Sequence, residues 1–152
     1  MITAGKLVSI FDLLKATSEK YPEKVFIQIK KDGGYLRYTF KQTYLMAVSL
    51  GNSLSDKIRK GDKVAILSEN RPEWMVSYLA ISYLGAVAVP LDTNHSEEIL
   101  YNLLKDSDSK LIFTSKKFWD ELEKIKQKIN KIQLLCFDDP EFREMLEDAS
   151  GK

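Results

Sequence analysis

From Gly61 onward the chain alternates short apolar runs with longer segments of helical period, and this alternation restricts the fold more than any other feature. Lys63 to Ser68, Ala86 to Leu91, Lys110 to Thr114 and Ile132 to Phe137 read as strands. Between the first two, Pro72 occupies the first turn of a helix that runs to about Leu84. Ser96 caps a second helix, with Glu97 and Glu98 in its first turn and Ile99, Leu100, Leu103 and Leu104 on its core face. Ser115 caps a third, with Phe118, Leu122, Ile125 and Ile129 inward, and Asp139-Pro140 starts a short one through Leu146. Strands alternating with helices predict right-handed crossovers and an α/β fold, a parallel sheet with helices on both faces.

The segment before Gly61 follows a different pattern. Ser9 to Tyr21 reads as a helix with Ile10, Phe11, Leu13, Leu14 and Thr17 on its apolar side, ended by Pro22. Val25 to Lys30 and Tyr35 to Thr39 read as two strands. Lys31-Asp32-Gly33-Gly34 between them offers the positive-φ residues of a tight hairpin. This antiparallel pair is expected beside the main sheet, not within it. Thr39-Phe40-Lys41-Gln42 is a capping box, followed at helical spacing by Tyr44, Ala47, Val48, Gly51, Leu54 and Ile58. Gly51 on that stripe permits a close neighbour. Lys57, Arg59 and Lys60 suit the end of the helix electrostatically, and Gly61 is a candidate left-handed cap.

At 152 residues the chain is expected to form one domain, residues 1–152, with a core that needs no disulfide. There are 23 basic and 22 acidic residues, and acids interleave with the lysines of 116–131. That pattern belongs to a solvated helix face and points to no nucleic-acid partner. Cys136 is the single cysteine and sits in an apolar run, which reads as a small buried hydrophobe. The amino terminus lacks the apolar core of a signal peptide. Trp74 to Leu91 carries no charge over about 18 residues, the usual length of a membrane span. Gly85 divides it into a helix and a short strand, so it reads as no transmembrane segment.

In an open parallel sheet, ligands sit beyond the carboxyl ends of the strands. Those ends are Ser68-Glu69-Asn70-Arg71, Asp92-Thr93-Asn94-His95, Thr114-Ser115 and Asp138-Asp139. They are polar, but helix caps and turns account for the same residues. No glycine-rich loop joins a strand to a helix N-terminus, so no phosphate cradle is expected. There is no Gly-x-Ser-x-Gly elbow and no histidine pair, and His95 is the only histidine. Adjacent Asp138 and Asp139 alone make no metal site. The residues therefore name no catalytic, cofactor-binding or metal-binding position.

Taken together, several stretches resemble the amino-terminal region of the AMP-forming acyl-CoA synthetases, and of the long-chain fatty-acid–CoA ligases in particular. These are Tyr21-Pro22-Glu23-Lys24-Val25, Tyr38-Thr39-Phe40, Gly61 to Leu67, Glu69-Asn70-Arg71-Pro72-Glu73-Trp74, Ala80-Ile81 through Pro90-Leu91-Asp92, Glu98-Ile99 and Asp106 to Ser115. The likeness covers roughly residues 7–137, and no single piece is diagnostic. Asn94-His95 departs from many relatives. The resemblance implies the first subdomain of the adenylate-forming fold. It also implies an enzyme that activates a carboxylate with ATP and Mg²⁺ and passes the acyl group to CoA. The family's phosphate loop, its Tyr-Gly-x-Thr-Glu and Thr-Gly-Asp motifs and its carboxyl-terminal lysine are not among these residues, so no catalytic role is carried over.

The expectation is a scaffold segment, ending before the phosphate loop, that is inactive alone and binds ATP, Mg²⁺ or CoA weakly at most. Its implied partners are the remainder of the same enzyme and, there, a fatty acid. An apolar face left uncovered, with Tyr35, Tyr38 and part of the Trp74–Leu84 helix as candidates, would favour self-association. The implied location is cytoplasmic, with membrane-peripheral attachment of the longer enzyme also in keeping. The alternatives are another adenylating enzyme, with an aryl or amino acid substrate, and a stand-alone interaction module.

Overall fold

The structure, a computed structural model, describes residues 9–147. Ala149 to Lys152, whose composition reads as a frayed end, fall outside them. Helix α1 (Ile10–Lys20) begins at Ser9, whose hydroxyl accepts the Asp12 amide while Asp12 caps the Ser9 amide in return. The hairpin follows as β1 (Val25–Lys31) and β2 (Gly34–Thr39), with Asp32 at φ 48° and Gly33 at φ 79° making its turn. The two strands pair only with each other, apart from the main sheet. Thr39 and Gln42 form the expected capping box at the start of α2 (Phe40–Leu54).

The remaining elements are β3 (Lys63–Leu67), α3 (Pro72–Tyr83), β4 (Val87–Pro90), α4 (Glu97–Ser107), β5 (Leu111–Thr114), a 3-10 turn (Lys116–Phe118), α5 (Trp119–Lys128), β6 (Gln133–Cys136) and α6 (Pro140–Glu147). Strands β3 to β6 form one parallel sheet in the order β4-β3-β5-β6. Side-chain alternation then builds two cores. Val64, Ile66, Leu111 and Phe113 point to one face, against Leu50 and Leu54 of α2, Val76 and Ala80 of α3, and Phe142 of α6. Ala65, Leu67 and Ile112 point to the other, against Leu100 and Leu104 of α4 and Leu122 and Ile125 of α5. A third cluster joins Phe11 and Leu14 of α1 to Ala47 and Leu79.

Four details differ from the sequence reading. Helix α2 stops at Leu54, so Lys57, Arg59 and Lys60 lie beyond its end and Gly61 does not cap it. Ser53 and Ser55 favour the early stop. The hydroxyls of Ser53 and Ser55 bond backbone carbonyls of the last turns, a contact that competes with helix continuation. Gly61 is still left-handed, at φ 86°, in the turn into β3, where its amide donates to the Gly85 carbonyl (3.0 Å). Second, Ile99 and Leu103 are exposed, because α4 faces the sheet through Leu100 and Leu104, with Tyr101 packed beside them. Third, Ile10 and Leu13 likewise flank the buried pair Phe11 and Leu14. Fourth, the Ser115 side chain caps no helix.

Candidate functional site

The sheet order fixes where a ligand crevice should open. From β3 the chain leaves through α3 toward β4 at one edge. From β5 it leaves through α5 toward β6 at the other, and α3 and α5 pack on opposite faces. The point where connections diverge, outside the carboxyl ends of β3 and β5, is where such sheets take ligands. Ser68 to Arg71 follow β3 there, Thr114 to Lys116 follow β5, and Asp138 arrives from β6.

These residues bond one another. Arg71 is central: its Nε and Nη2 donate to the two carboxylate oxygens of Glu73 (2.9 and 3.1 Å), and its Nη1 donates to Asp138 Oδ1 (2.9 Å). Glu69 Oε1 lies 3.6 Å from the same Nη1. Glu69 Oε2 accepts the Ser115 hydroxyl (2.7 Å), which is why that hydroxyl caps no helix. The other oxygen of Asp138 accepts the Lys116 amide (2.9 Å), the first amide of the 3-10 turn. The guanidinium also lies 5.5 Å from the centre of the Phe137 ring.

The electrostatics follow from these contacts. Burial alone would raise the Glu69 carboxyl, but the Ser115 hydroxyl, its own backbone amide and Arg71 together hold it below the ordinary carboxylate range. Asp138 behaves alike: burial opposes its charge, while the Lys116 amide and Arg71 outweigh it and depress the pKa. Arg71 is held cationic chiefly by its bidentate bond to Glu73. Every nitrogen of the Arg71 guanidinium and both oxygens of Asp138 thus have a partner within this circuit. The circuit ties the ends of β3, β5 and β6 together.

The strand-end residues named from sequence are thus placed in two groups. Glu69, Arg71, Ser115 and Asp138 meet in this circuit. Asp92 to His95 stand apart, where the Asp92 carboxylate accepts both the backbone and side-chain amides of Asn94 (2.9 Å each) in a local turn. The Asn94 amide holds Asp92 below its usual pKa. Ser96 caps α4 as expected. Burial raises the Cys136 thiol, the wrong direction for a nucleophile. Among the described residues no group of three His, Cys, Asp or Glu is placed to hold a metal, and no helix is long and apolar enough to cross a membrane.

Beside the circuit runs an open groove of about 500 Å³, absent from the sequence reading. Phe26, Ile27 and Ile29 of β1 form one wall and Pro72, Trp74 and Met75 of α3 the other, with Asn70 and Arg71 at the end. Its only sequence signal was the apolar character of β1, which has no sheet to cover it. Tyr35, Leu36 and Val25 of the hairpin are exposed as well, whereas Tyr38 is half-buried.

Residues 14–152 match the model of the AMP-binding enzyme family. The chain is 32% identical over 104 residues to 4-coumarate–CoA ligase 3 of Arabidopsis thaliana, covering 68% of this chain and 18% of that one. It is 29% identical over 131 residues to long chain acyl-CoA synthetase 3 of the same organism, covering 82% of this chain and 20% of the relative. It thus spans about a fifth of the length of these curated relatives. Among solved structures, the N-terminal domain of FACL13 from Mycobacterium tuberculosis superposes with a TM-score of 0.81 at 24% identity, covering 96% of this chain and 38% of that one.

Proposed function

This chain belongs to the AMP-binding enzyme family, and from that premise we propose that residues 1–152 are one N-terminal subdomain of an ATP-dependent acid–thiol ligase acting on long-chain fatty acids. The whole enzyme joins carboxylate and ATP to an acyl-adenylate with release of pyrophosphate, then transfers the acyl group to the thiol of CoA with release of AMP. The observation that carries this reading is the family match over residues 14–152.

Within that enzyme the role of this segment is architectural. Its strand-end residues are poorly set to take ATP or Mg²⁺, because all three guanidinium nitrogens of Arg71 already bond Glu73 and Asp138, and one oxygen of Glu69 accepts the Ser115 hydroxyl. No step of adenylation is assigned to them, and no residue here is given a catalytic, cofactor-binding or metal-binding role. What the segment offers is a rigid parallel sheet plus an apolar face, the groove between β1 and α3 with the exposed side of the hairpin. A two-stranded sheet with both outer edges free is marginal by itself, so the remainder of the same polypeptide is the natural cover for that face. Without it, the face would promote self-association.

A second reading has its own support. The likeness to a 4-coumarate–CoA ligase is as good as that to a long chain acyl-CoA synthetase, so an aryl acid substrate is the rival. The test is a pyrophosphate-release assay on the polypeptide encoded by the full reading frame, with palmitate and 4-coumarate compared at equal concentration. Preference for palmitate supports the long-chain reading. Preference for 4-coumarate replaces it with the aryl reading, and no release with any acid overturns both. Under the first reading the whole enzyme is cytoplasmic, and peripheral attachment to a bilayer is in keeping with a long-chain substrate.

A further inference from the structure

The opposite end of the sheet carries a second concavity, of about 520 Å³, below the amino ends of β5 and β6. Four lysines line it, Lys57, Lys105, Lys110 and Lys131, against one carboxylate, Asp108. They come from four separate segments: the loop after α2, the last turn of α4, the entry to β5 and the turn before β6. Lys110 is paired with Asp62 at 2.8 Å. No described carboxylate lies within ion-pairing distance of Lys57, Lys105 or Lys131. A concave cluster of one sign with apolar walls concentrates its field and draws in counter-charge. Here the apolar surface is the half-buried Ile129, backed by the core residues Ile58 and Leu104.

Backbone conformation adds an independent observation. Lys131 has φ 85°, a region that L side chains other than Asn and Asp seldom adopt. A turn of this shape ordinarily takes glycine or asparagine. This one keeps a lysine, at a conformational cost, at the rim of the basin.

We propose that this basin binds a polyvalent, phosphate-bearing anion, with its charge held by Lys57, Lys105 and Lys131 and its organic part against Ile129. The same chemistry is presented by a soluble phosphorylated metabolite and by the headgroup of an anionic lipid. The site is remote from the carboxyl-end circuit and does not depend on the substrate of the whole enzyme.

The test uses the 152-residue chain and two probes at fixed ionic strength: inorganic pyrophosphate followed by amide NMR, and phosphatidylcholine vesicles with or without phosphatidic acid followed by co-sedimentation. The variant is Lys57→Gln/Lys105→Gln/Lys131→Asn, in which asparagine accepts the left-handed turn. Its unchanged spectrum elsewhere would show that the fold is intact. A soluble ligand predicts saturable shifts at Ser109, Lys110, Asn130 and Lys131, with ~10-fold weaker binding in the variant. A lipid headgroup predicts retention by phosphatidic acid vesicles, loss in the variant and competition by pyrophosphate. A response that sodium chloride reproduces, a response equal in the variant, or no response to either probe overturns the proposal.

Discussion

Arg71 and Asp138, 67 residues apart in the chain, meet through a 2.9 Å hydrogen bond that closes the carboxyl end of the sheet. Because Asp138 also accepts the Lys116 amide, one carboxylate holds the loops after β3 and β5 to the end of β6. Replacing Asp138 by alanine leaves both donors short of a partner. We expect a loss of about 1–3 kcal/mol, since both groups are partly buried and retain some water. Denaturant unfolding of Asp138→Ala, Arg71→Ala and the double variant measures it. A coupling energy of zero between the two positions would show that the pair contributes nothing.

The same circuit sets the acid limit of the fold. Glu69 and Asp138 both have folded pKa values below their ordinary ones, as does the Asp62 partner of Lys110. A depressed carboxylate contributes stability that is present above its unfolded pKa, about 4, and is lost as pH falls through the folded value. The melting temperature should therefore stay level from neutral pH to about 5 and fall below about 4. Glu69→Gln should flatten part of that fall. A wild-type melting temperature that does not change down to pH 3 would contradict the assignment.

Gly51 of α2 lies against the ring of Tyr83 at the end of α3. A methyl group built on Gly51 would press into that ring, 3.0 Å from one Cε and closer still to a Cδ. The ring is held in place, because its hydroxyl donates to the Asn52 side chain (2.9 Å) and it packs 4.9 Å from Phe11. Gly51→Ala should therefore cost about 1–3 kcal/mol, although alanine is the better helix former. Adding Tyr83→Ala should recover part of the loss. If Gly51→Ala alone is neutral or stabilising, the two helices have room to separate.

Phe142 secures α6. An eight-residue helix does not persist by itself in water. Phe142 is fully buried, 5.0 Å from Phe137 and 6.1 Å from Phe113, both in edge-to-face geometry. Phe142→Ala should destabilise the chain by about 3–5 kcal/mol. Hydrogen exchange should then report α6 opening before the sheet. Unchanged protection of residues 140–147 would mean that other contacts hold it.

What could be read from the sequence was local. The Thr39 to Gln42 box, the Asp32-Gly33 turn, Pro72 at a helix start and Ser96 as a cap each depend on residues within four positions. Gly85, expected at a sharp helix-to-strand turn, has φ 67°. The strand order β4-β3-β5-β6 and the circuit it creates were not legible. Glu69 meets Ser115 across 46 residues, and only the sheet order makes them neighbours. Ser115 illustrates the difficulty: after a strand and before a helix it looks like a cap, yet a better acceptor lies in another loop. The lysine basin was hidden for the same reason, since its cations are spread over four segments in a chain of nearly balanced charge.

The chain alone should form no acyl-adenylate, and its strand ends should not respond to nucleotide. Adenylation needs charge stabilisation at the transferring phosphorus by donors that are free before the ligand arrives. At the carboxyl end of this sheet the guanidinium is engaged on three sides and Ser115 is committed to Glu69. Freeing Arg71 for a phosphate would mean leaving Glu73 without its bidentate partner and Asp138 with the Lys116 amide alone, at a cost a weak surface contact cannot recover. Titration with ATP and Mg²⁺, with and without palmitate, should leave the amides of residues 68–71 and 114–116 unmoved and release no pyrophosphate. Any shifts should be confined to the amino-end basin. A stoichiometric burst of pyrophosphate, or saturable shifts at Asn70, Arg71 and Lys116, would turn the circuit from a structural tie into a nucleotide site.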